Sequence, residues 1–382
     1  MLLPRRTFLA GAAGVLAAPR MLFAQAATDR RFVFVIQRGA ADGLNTVVPY
    51  ADPAYAALRR DLAIDPAAAT KLDGTFALHP SLQEFGRLYA QGQALFVHAV
   101  SSPYRDRSHF DGQNVLESGG TAPYQLKDGW MNRLVALLPK RGKEAIAFAP
   151  TVPLALRGAA DVSSYAPSAL PAASDDLLVR VQQLYEGDAQ LHALWSAAMD
   201  AQGMAGGAGQ GGNRQDPAEL GHVAANFLAQ PQGPRIAMIE TNGWDTHSAQ
   251  NPRLAAQLRN LDTMVGALRE GLGAAWQQTV VLVATEFGRT AAANGTGGTD
   301  HGTASAALLA GGAVQGGRVL ADWPGLATGA LYEGRDLRPT QDLDALIAAT
   351  AADAFALDRE RVARALFPQM RAQRALPQIV RA

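Results

Sequence analysis

The segment TVVLVATEFGRTAAANGTGGTDHG, residues 279–302, joins a strand pattern to a cluster of chemically active side chains. Residues 279–284 are apolar and mostly β-branched and follow a helix-like segment, which predicts a buried parallel strand. Four side chains that can perform chemistry come after it: Glu286, Arg289, Asp300 and His301. Ligands of open α/β sheets bind outside the carboxyl ends of the strands. The segment therefore predicts a functional site at one edge of a parallel sheet.

Three further runs have the same strand pattern: residues 31–37, 94–100 and 235–240. Asp42 follows the first run, Ser108 follows the second, and Asp245 and His247 follow the third. The carboxyl ends of parallel strands share one edge of a sheet, so we expect these side chains to converge. The predicted fold is α/β, with a doubly wound, mostly parallel central sheet between helices.

Each of these polar residues also has a purely structural interpretation. Asp42 stands beside a glycine, as turn aspartates do. Ser108 begins a predicted helix, where a hydroxyl is either an N-cap or a nucleophile beside converging N–H groups. Asp245 and His247 either share a metal ion or cap the following helix. His98, inside an apolar strand, is expected to be a hydrogen-bonded core residue.

Residues 1–26 have the pattern of a twin-arginine (Tat) export signal. Arg5 and Arg6 precede a mildly apolar run, and small residues near position 26 suit cleavage. An ordinary secretory signal or a short membrane anchor is the alternative. We expect the Tat translocase as a partner during export, a periplasmic or extracellular mature protein, and no stable membrane span.

Composition narrows the classes of function. The signal contains three of the 34 basic residues and none of the 34 acidic ones, so the mature chain is slightly acidic and nucleic acid is not an expected partner. The absence of cysteine excludes disulfides, thiolate catalysis and cysteine zinc sites. A hydrophobic content of 48% supplies a large core. We expect one domain over residues 27–382, with a small helical insert and glycine-rich linker at about 160–215.

Five segments together resemble a known family: RGAADGLNTVVPY, RSHFDGQN, GWDTHSAQN, TEFGRT…NGTGGTDHG and AVQGGRV…WPGL. The chain resembles the Tat-exported bacterial family of the domain of unknown function 1501. That family is similar in turn to the alkaline phosphatase and sulfatase superfamily. The resemblance implies an alkaline phosphatase-like fold, a first-strand aspartate on metal at Asp42, and a hydroxyl nucleophile at Ser108.

The leading functional hypothesis is a metal-dependent hydrolase of phosphate or sulfate esters, acting on a small-molecule ester or a polysaccharide. Carboxylates and imidazoles without thiolates suit Zn²⁺, Mn²⁺, Mg²⁺ or Ca²⁺. The predicted ligands are Asp42, Asp245, His247, Glu286, Asp300 and His301. Ser108 is the predicted nucleophile, and Arg289 is predicted to hold the developing oxyanion.

Two alternatives remain at this point. The superfamily has an adjacent Asp-His pair where this chain has Glu286 and Phe287, so the fold could serve a non-catalytic binding or assembly protein with a degenerate site. The second alternative is a hydrolase that needs no metal and uses Ser108 with His109 or His301.

Overall fold

The computed structural model describes residues 29–139, 144–166, 175–185, 187–204, 216–370 and 375–381. The predicted signal, residues 1–26, and most of the predicted linker, from residue 205 to residue 212, lie outside these ranges. Within the described ranges, no helix has the length and apolarity needed to cross a membrane.

Twelve strands occur in the part of the chain that the structure describes. In chain order they are β1 Arg31–Gln37, β2 Val47–Val48, β3 Thr70–Lys71, β4 Ala77–Leu78, β5 Ala94–Ser101, β6 Ala145–Phe148, β7 Ser163–Ser164, β8 Ile236–Thr241, β9 Thr279–Thr285, β10 Ser305–Ala310, β11 Arg318–Leu320 and β12 Gln341–Asp342. The central sheet has the order β11-β5-β10-β9-β1-β8-β6-β7, with β12 beside β5. Only β10 runs antiparallel to its neighbours in this sheet, which confirms the mostly parallel sheet.

Eleven α-helices occur in the same described ranges. They are α1 Gly43–Thr46, α2 Tyr55–Arg59, α3 Gln83–Ala90, α4 His109–Ser118, α5 Trp130–Leu137, α6 Asp175–Tyr185, α7 Ala189–Met204, α8 Pro217–Ala229, α9 Gln250–Leu272, α10 Leu343–Ala354 and α11 Arg359–Leu366. Helices α5, α10 and α11 cover one face of the sheet, and α3, α8 and α9 cover the other. This arrangement confirms an α/β fold whose mostly parallel central sheet lies between helices. Helices α6 and α7 fall within the segment predicted to be an insert.

The alternation of side chains along β1 explains why the sheet has two covered faces. Phe32, Phe34 and Ile36 belong to one core, whereas Val33 and Val35 belong to the other. Every residue of this strand is buried, as a parallel strand between two helical layers requires. Such a strand reads as a nearly continuous apolar run in the sequence.

The carboxyl ends of β5, β9, β1 and β8 lie at the same edge of the sheet. All four strands were expected from sequence, and the structure confirms them to within one residue at each end. The core role expected for His98 in β5 is also confirmed. Its Nδ1 accepts from the Ala99 N–H at 2.7 Å, and its Nε2 contacts the Val47 carbonyl oxygen at 2.8 Å.

Candidate metal centre

Loops at the carboxyl edge of the sheet bring the polar residues together. Asp245 and His247 follow β8, His301 lies between β9 and β10, and His109 is the first residue of α4 after β5. The loop after β1 packs closely against them. A Cβ on Gly39, whose φ is +121°, would lie 2.7 Å from the Asp245 backbone nitrogen. Glycine is required at this contact, both for the conformation and for the space.

All three histidines have their Nδ1 atoms beside an acceptor. The acceptors are Glu286 Oε1 at 2.8 Å from His109, Asp300 Oδ1 at 3.1 Å from His247, and the Arg107 carbonyl oxygen at 2.9 Å from His301. An acceptor at Nδ1 favours the tautomer with its proton there and leaves a lone pair on Nε2. Histidines that bind metals are oriented in this way.

The three Nε2 atoms face the Asp245 carboxylate. His247 Nε2 and His301 Nε2 lie 3.0 and 3.3 Å from Asp245 Oδ1, and His109 Nε2 lies 3.6 Å from Oδ2. Ligand atoms of His109, Asp245 and His301 all lie within 4.8 Å of one another. The Nε2 atoms of His247 and His301 are 2.9 Å apart. Two lone pairs at that distance repel each other unless a cation or a proton separates them.

The donor set fits a divalent metal ion. His109 Nε2 is buried and has no hydrogen-bond partner among the described residues. A buried polar atom without a partner costs free energy, and a cation at this position would offset that cost. Three imidazole nitrogens with one carboxylate suit Zn²⁺, whereas Mg²⁺ and Ca²⁺ prefer oxygen ligands.

Glu286 orients His109 from the interior of the protein. Its side chain is fully buried and also accepts from the Gly39 N–H at 2.9 Å and from Gln113 Nε2 at 3.1 Å. Burial alone would raise the pKa of Glu286, but these hydrogen bonds and that from His109 lower it below its usual value. The hydrogen bond to Glu286 raises the pKa of His109. Glu286 is therefore an anion that makes the His109 imidazole more basic.

Arg289 holds Asp245 in place. Its buried guanidinium donates from Nη1 to Asp245 Oδ1 at 2.7 Å and from Nε to Thr299 Oγ1 at 3.1 Å. Burial raises the pKa of Asp245, but the hydrogen bond and the charge of Arg289 outweigh burial and lower it. Asp245 is consequently an anion at neutral pH. The oxyanion role predicted for Arg289 stays a prediction beside these contacts.

The pKa values of the remaining groups also suit metal binding. Hydrogen bonding from Asn294, followed by that from His247, lowers the pKa of Asp300. Burial lowers the pKa of His301, and the nearby His109 and Arg289 lower it further. A neutral imidazole can act as a ligand, and a charged Asp300 can hold the Nδ1 proton of His247.

The family model described as "Protein of unknown function (DUF1501)" matches residues 29–367. The chain belongs to this family. The match confirms the resemblance to the domain of unknown function 1501 that the sequence motifs indicated. No curated protein matches the chain.

Several solved structures are similar to this DUF1501 chain. A putative sulfatase from Bacteroides thetaiotaomicron is 10% identical, and the match covers 90% of this chain and 76% of that one with a TM-score of 0.42. The C-terminal periplasmic domain of EcEptC from Escherichia coli, in complex with Zn, is 11% identical, with 75% of each chain covered and a TM-score of 0.35. Alkaline phosphatase from the Antarctic bacterium TAB5 is 12% identical, with 75% of this chain and 92% of that one covered and a TM-score of 0.38. Similarity at this level does not transfer the chemistry of those proteins to this chain.

Asp42 is engaged in an ion pair and not with the histidines. Arg59 Nη1 lies 2.5 Å from Asp42 Oδ2, and Nη2 lies 3.0 Å from Oδ1. Gln250 Nε2 also donates to Oδ2, and the Leu44 and Asn45 N–H groups approach Oδ1. The structure therefore places Asp42 as the N-cap of α1 and the partner of a buried arginine.

Ser108 occupies the N-cap position of α4 without forming a side-chain capping bond within the described chain. Its backbone N–H donates to the Tyr104 hydroxyl at 3.2 Å. Ser108 directly precedes His109, so it lies at the border of the centre.

The sequence did not single out His109 as a candidate metal ligand; it was expected only as a base partner of Ser108. Its position just after β5, at the edge where the other polar loops meet, was the available signal.

Proposed function

We propose that this protein is an exported, metal-dependent hydrolase of phosphate or sulfate esters. The cation would be bound by His109, Asp245, His247 and His301. One observation carries the proposal: three histidines have acceptors at Nδ1, and their Nε2 atoms face a single carboxylate. The donor set favours Zn²⁺.

A bound divalent cation would polarise a phosphoryl or sulfuryl oxygen and stabilise the charge that develops on it. The protein orients the groups around that position. Glu286 and Asp300 retain the Nδ1 protons of His109 and His247, and Arg289 fixes the Asp245 carboxylate. These contacts restrict the ligand atoms to one arrangement before substrate binds.

Ser108 is the proposed nucleophile. Its hydroxyl makes no capping bond in the described structure, and it stands at the N-terminus of a helix, where backbone N–H groups favour an anion. In the first step Ser108 Oγ attacks the phosphorus or sulfur atom, the ester bond breaks, and the alcohol leaves with the serine proton. Water then cleaves the seryl ester and releases phosphate or sulfate.

One observation favours the non-catalytic alternative. The Asp42 carboxylate is paired with Arg59 and so is not free to hold a second cation, whereas a bimetal centre would need such a ligand. A binding or assembly protein could retain a single structural cation at the histidine cluster. The two functions differ in whether esters are hydrolysed.

Metal content is the first test. The mature protein is purified without chelator, and metal is measured by elemental analysis in wild type and in the double variant Asp245→Asn/His247→Ala. We expect about one equivalent in wild type and loss in the variant. His192→Ala is the matched control, because His192 is an exposed histidine on α7. A folded wild type without metal, or a double variant with full metal content, would exclude the proposed centre.

Hydrolysis of aryl phosphates and aryl sulfates tests the reaction. Activity should disappear after chelation, return when Zn²⁺ is added, and be lost in Ser108→Ala. Activity that survives removal of the metal would favour the metal-independent alternative. A metal-loaded protein that hydrolyses none of these esters would favour the binding or assembly role.

Export is part of the same proposal and is supported by the twin-arginine pattern of residues 1–26. Replacing Arg5 and Arg6 by lysine should retain the protein in the cytoplasm, as measured by cell fractionation. Periplasmic protein at the wild-type level in this variant would contradict Tat export.

A further inference from the structure

Arg107 has an unusual backbone conformation beside the centre. Its φ is +61°, in the left-handed region that residues with a side chain rarely adopt. Such a conformation is strained and persists only where the surroundings impose it. In this conformation the Arg107 carbonyl oxygen lies 2.9 Å from His301 Nδ1.

The orientation of His301 depends on a backbone conformation, whereas the orientations of His109 and His247 depend on side chains. His109 and His247 are held by side-chain carboxylates, whereas His301 is held by a backbone carbonyl oxygen. A carbonyl group moves with its peptide plane. If Arg107 relaxed to a negative φ, that plane would rotate and the acceptor at His301 Nδ1 would move away.

Two carboxylates hold the Arg107 side chain. Asp336 Oδ2 lies 2.9 Å from Arg107 Nε and 2.8 Å from Nη2, and Glu333 Oε2 lies 2.6 Å from Nη2. The Asp336 side chain is fully buried, whereas that of Glu333 is 56% exposed. Thr303 Oγ1 also donates to Asp336 at 2.8 Å. Asp336 is therefore the buried, fixed partner of Arg107, and Glu333 is a second, exposed partner.

The loop that carries Asp336 is itself constrained. The Asp336 N–H donates to the Tyr332 carbonyl oxygen at 3.0 Å, and the Tyr332 N–H donates to the Asp336 carbonyl oxygen at 2.8 Å. The backbone of Asp336 also pairs with that of Thr290, close to the strand end that leads to the centre. The carboxylate is thus attached to a rigid turn.

We infer that Asp336 is a positioning residue for the metal centre. By holding Arg107 in its left-handed conformation, Asp336 keeps the Arg107 carbonyl oxygen at His301 Nδ1 and the lone pair of His301 Nε2 directed at the Asp245 carboxylate. This inference rests on the proposed metal centre. It adds a residue that acts on the centre indirectly, through Arg107 and His301.

The test is the affinity for Zn²⁺ in Asp336→Asn, measured by competition with a chromophoric chelator. The variant keeps the size of the side chain and removes its charge. We expect a Kd about tenfold higher than in wild type, the lower end of the range for residues that contact metal ligands directly, because Asp336 acts through Arg107. Asp262→Asn is the control, since Asp262 is a mostly buried carboxylate that accepts from the Glu84 and Phe85 N–H groups of α3. Its Kd should equal that of wild type.

A second readout does not need the metal. Side-chain nitrogen NMR of the metal-free protein reports which ring nitrogen of His301 carries the proton. We expect the Nδ1 proton in wild type and in Asp262→Asn, and a mixture of tautomers in Asp336→Asn. A change confined to stability, with the tautomer and Kd of wild type, would overturn the inference.

Glu333→Gln covers the case in which Asp336→Asn does not fold. This substitution removes the charge of the more exposed carboxylate, which solvent screens more strongly. It should raise the Kd by less than tenfold while shifting the His301 tautomer in the same direction. An unchanged Kd and an unchanged tautomer in Glu333→Gln would then count against the inference. If wild type binds no metal, the proposed function fails, and the tautomer comparison alone decides the positioning role.

Discussion

Replacing Asp42 tests whether this residue is a metal ligand or the partner of Arg59 in an ion pair. The sequence resemblance predicts that Asp42 binds the cation, whereas the structure pairs it with Arg59 through contacts of 2.5 and 3.0 Å. The two side chains are 1% and 0% exposed, so neither charge has water to compensate for the loss of the other. Asp42→Asn should therefore affect stability far more than metal content.

The size of the effect follows from the burial. Removing one partner of a buried ion pair leaves the other charge uncompensated, which typically costs about 3–5 kcal/mol. We expect this loss in Asp42→Asn and in Arg59→Met. The double variant Asp42→Asn/Arg59→Met removes both charges, so it should be more stable than the sum of the single effects predicts, by about 1–3 kcal/mol.

The assay combines urea unfolding with elemental analysis on the same preparations. Wild type and all three variants should retain one equivalent of metal in the folded protein. The free energies of unfolding complete a double-mutant cycle for the pair. Loss of metal from Asp42→Asn with wild-type stability would refute this reasoning and restore Asp42 as a ligand.

Three further changes test separate parts of the structure. Burial lowers the pKa of His98 to about 4, so the unfolded state binds more protons from about pH 6.5 down to pH 4. The contribution of His98 to the free energy of unfolding should fall by about 3 kcal/mol over that range, and urea titrations of His98→Gln should show a flatter pH profile. Glu286→Gln should weaken Zn²⁺ binding about 10–100-fold in chelator competition; an unchanged Kd would contradict the orienting role. Gly39→Ala should lower both stability and metal affinity, since its Cβ would lie 2.7 Å from the Asp245 nitrogen; a wild-type Kd would show that the loop adjusts.

The sheet could be predicted because burial on both faces leaves a clear sequence pattern. β1 and β9 are nearly continuous apolar runs, and each is followed at once by polar residues. The rule that ligands bind at the carboxyl ends of parallel strands then placed Asp245, His247 and His301 at one edge. Those three residues do meet in the structure.

The part played by each carboxylate could not be predicted in the same way. Glu286 lies at the expected strand end, but its side chain contacts His109, which is 177 residues away in sequence. Asp42 also lies at the expected position, but its carboxylate forms an ion pair with Arg59 of α2. Sequence position indicates which edge of the sheet a carboxylate occupies, whereas its partner depends on side chains from other elements.

The charges around the histidines support a single divalent cation. Asp245, Glu286 and Asp300 each have a lowered pKa and are therefore anions at neutral pH. Among the described residues, the Arg289 guanidinium pairs with one of these carboxylates, that of Asp245, and the Arg253 guanidinium donates to the Asp245 backbone carbonyl oxygen. The three carboxylates and the Arg289 guanidinium together have a formal charge of −2, which one divalent cation neutralises. Asp42 and Arg59 neutralise each other and do not change this balance. In the metal-free protein the raised pKa of His109 allows a proton to supply part of the missing charge, so metal binding should release a proton and its affinity should increase with pH.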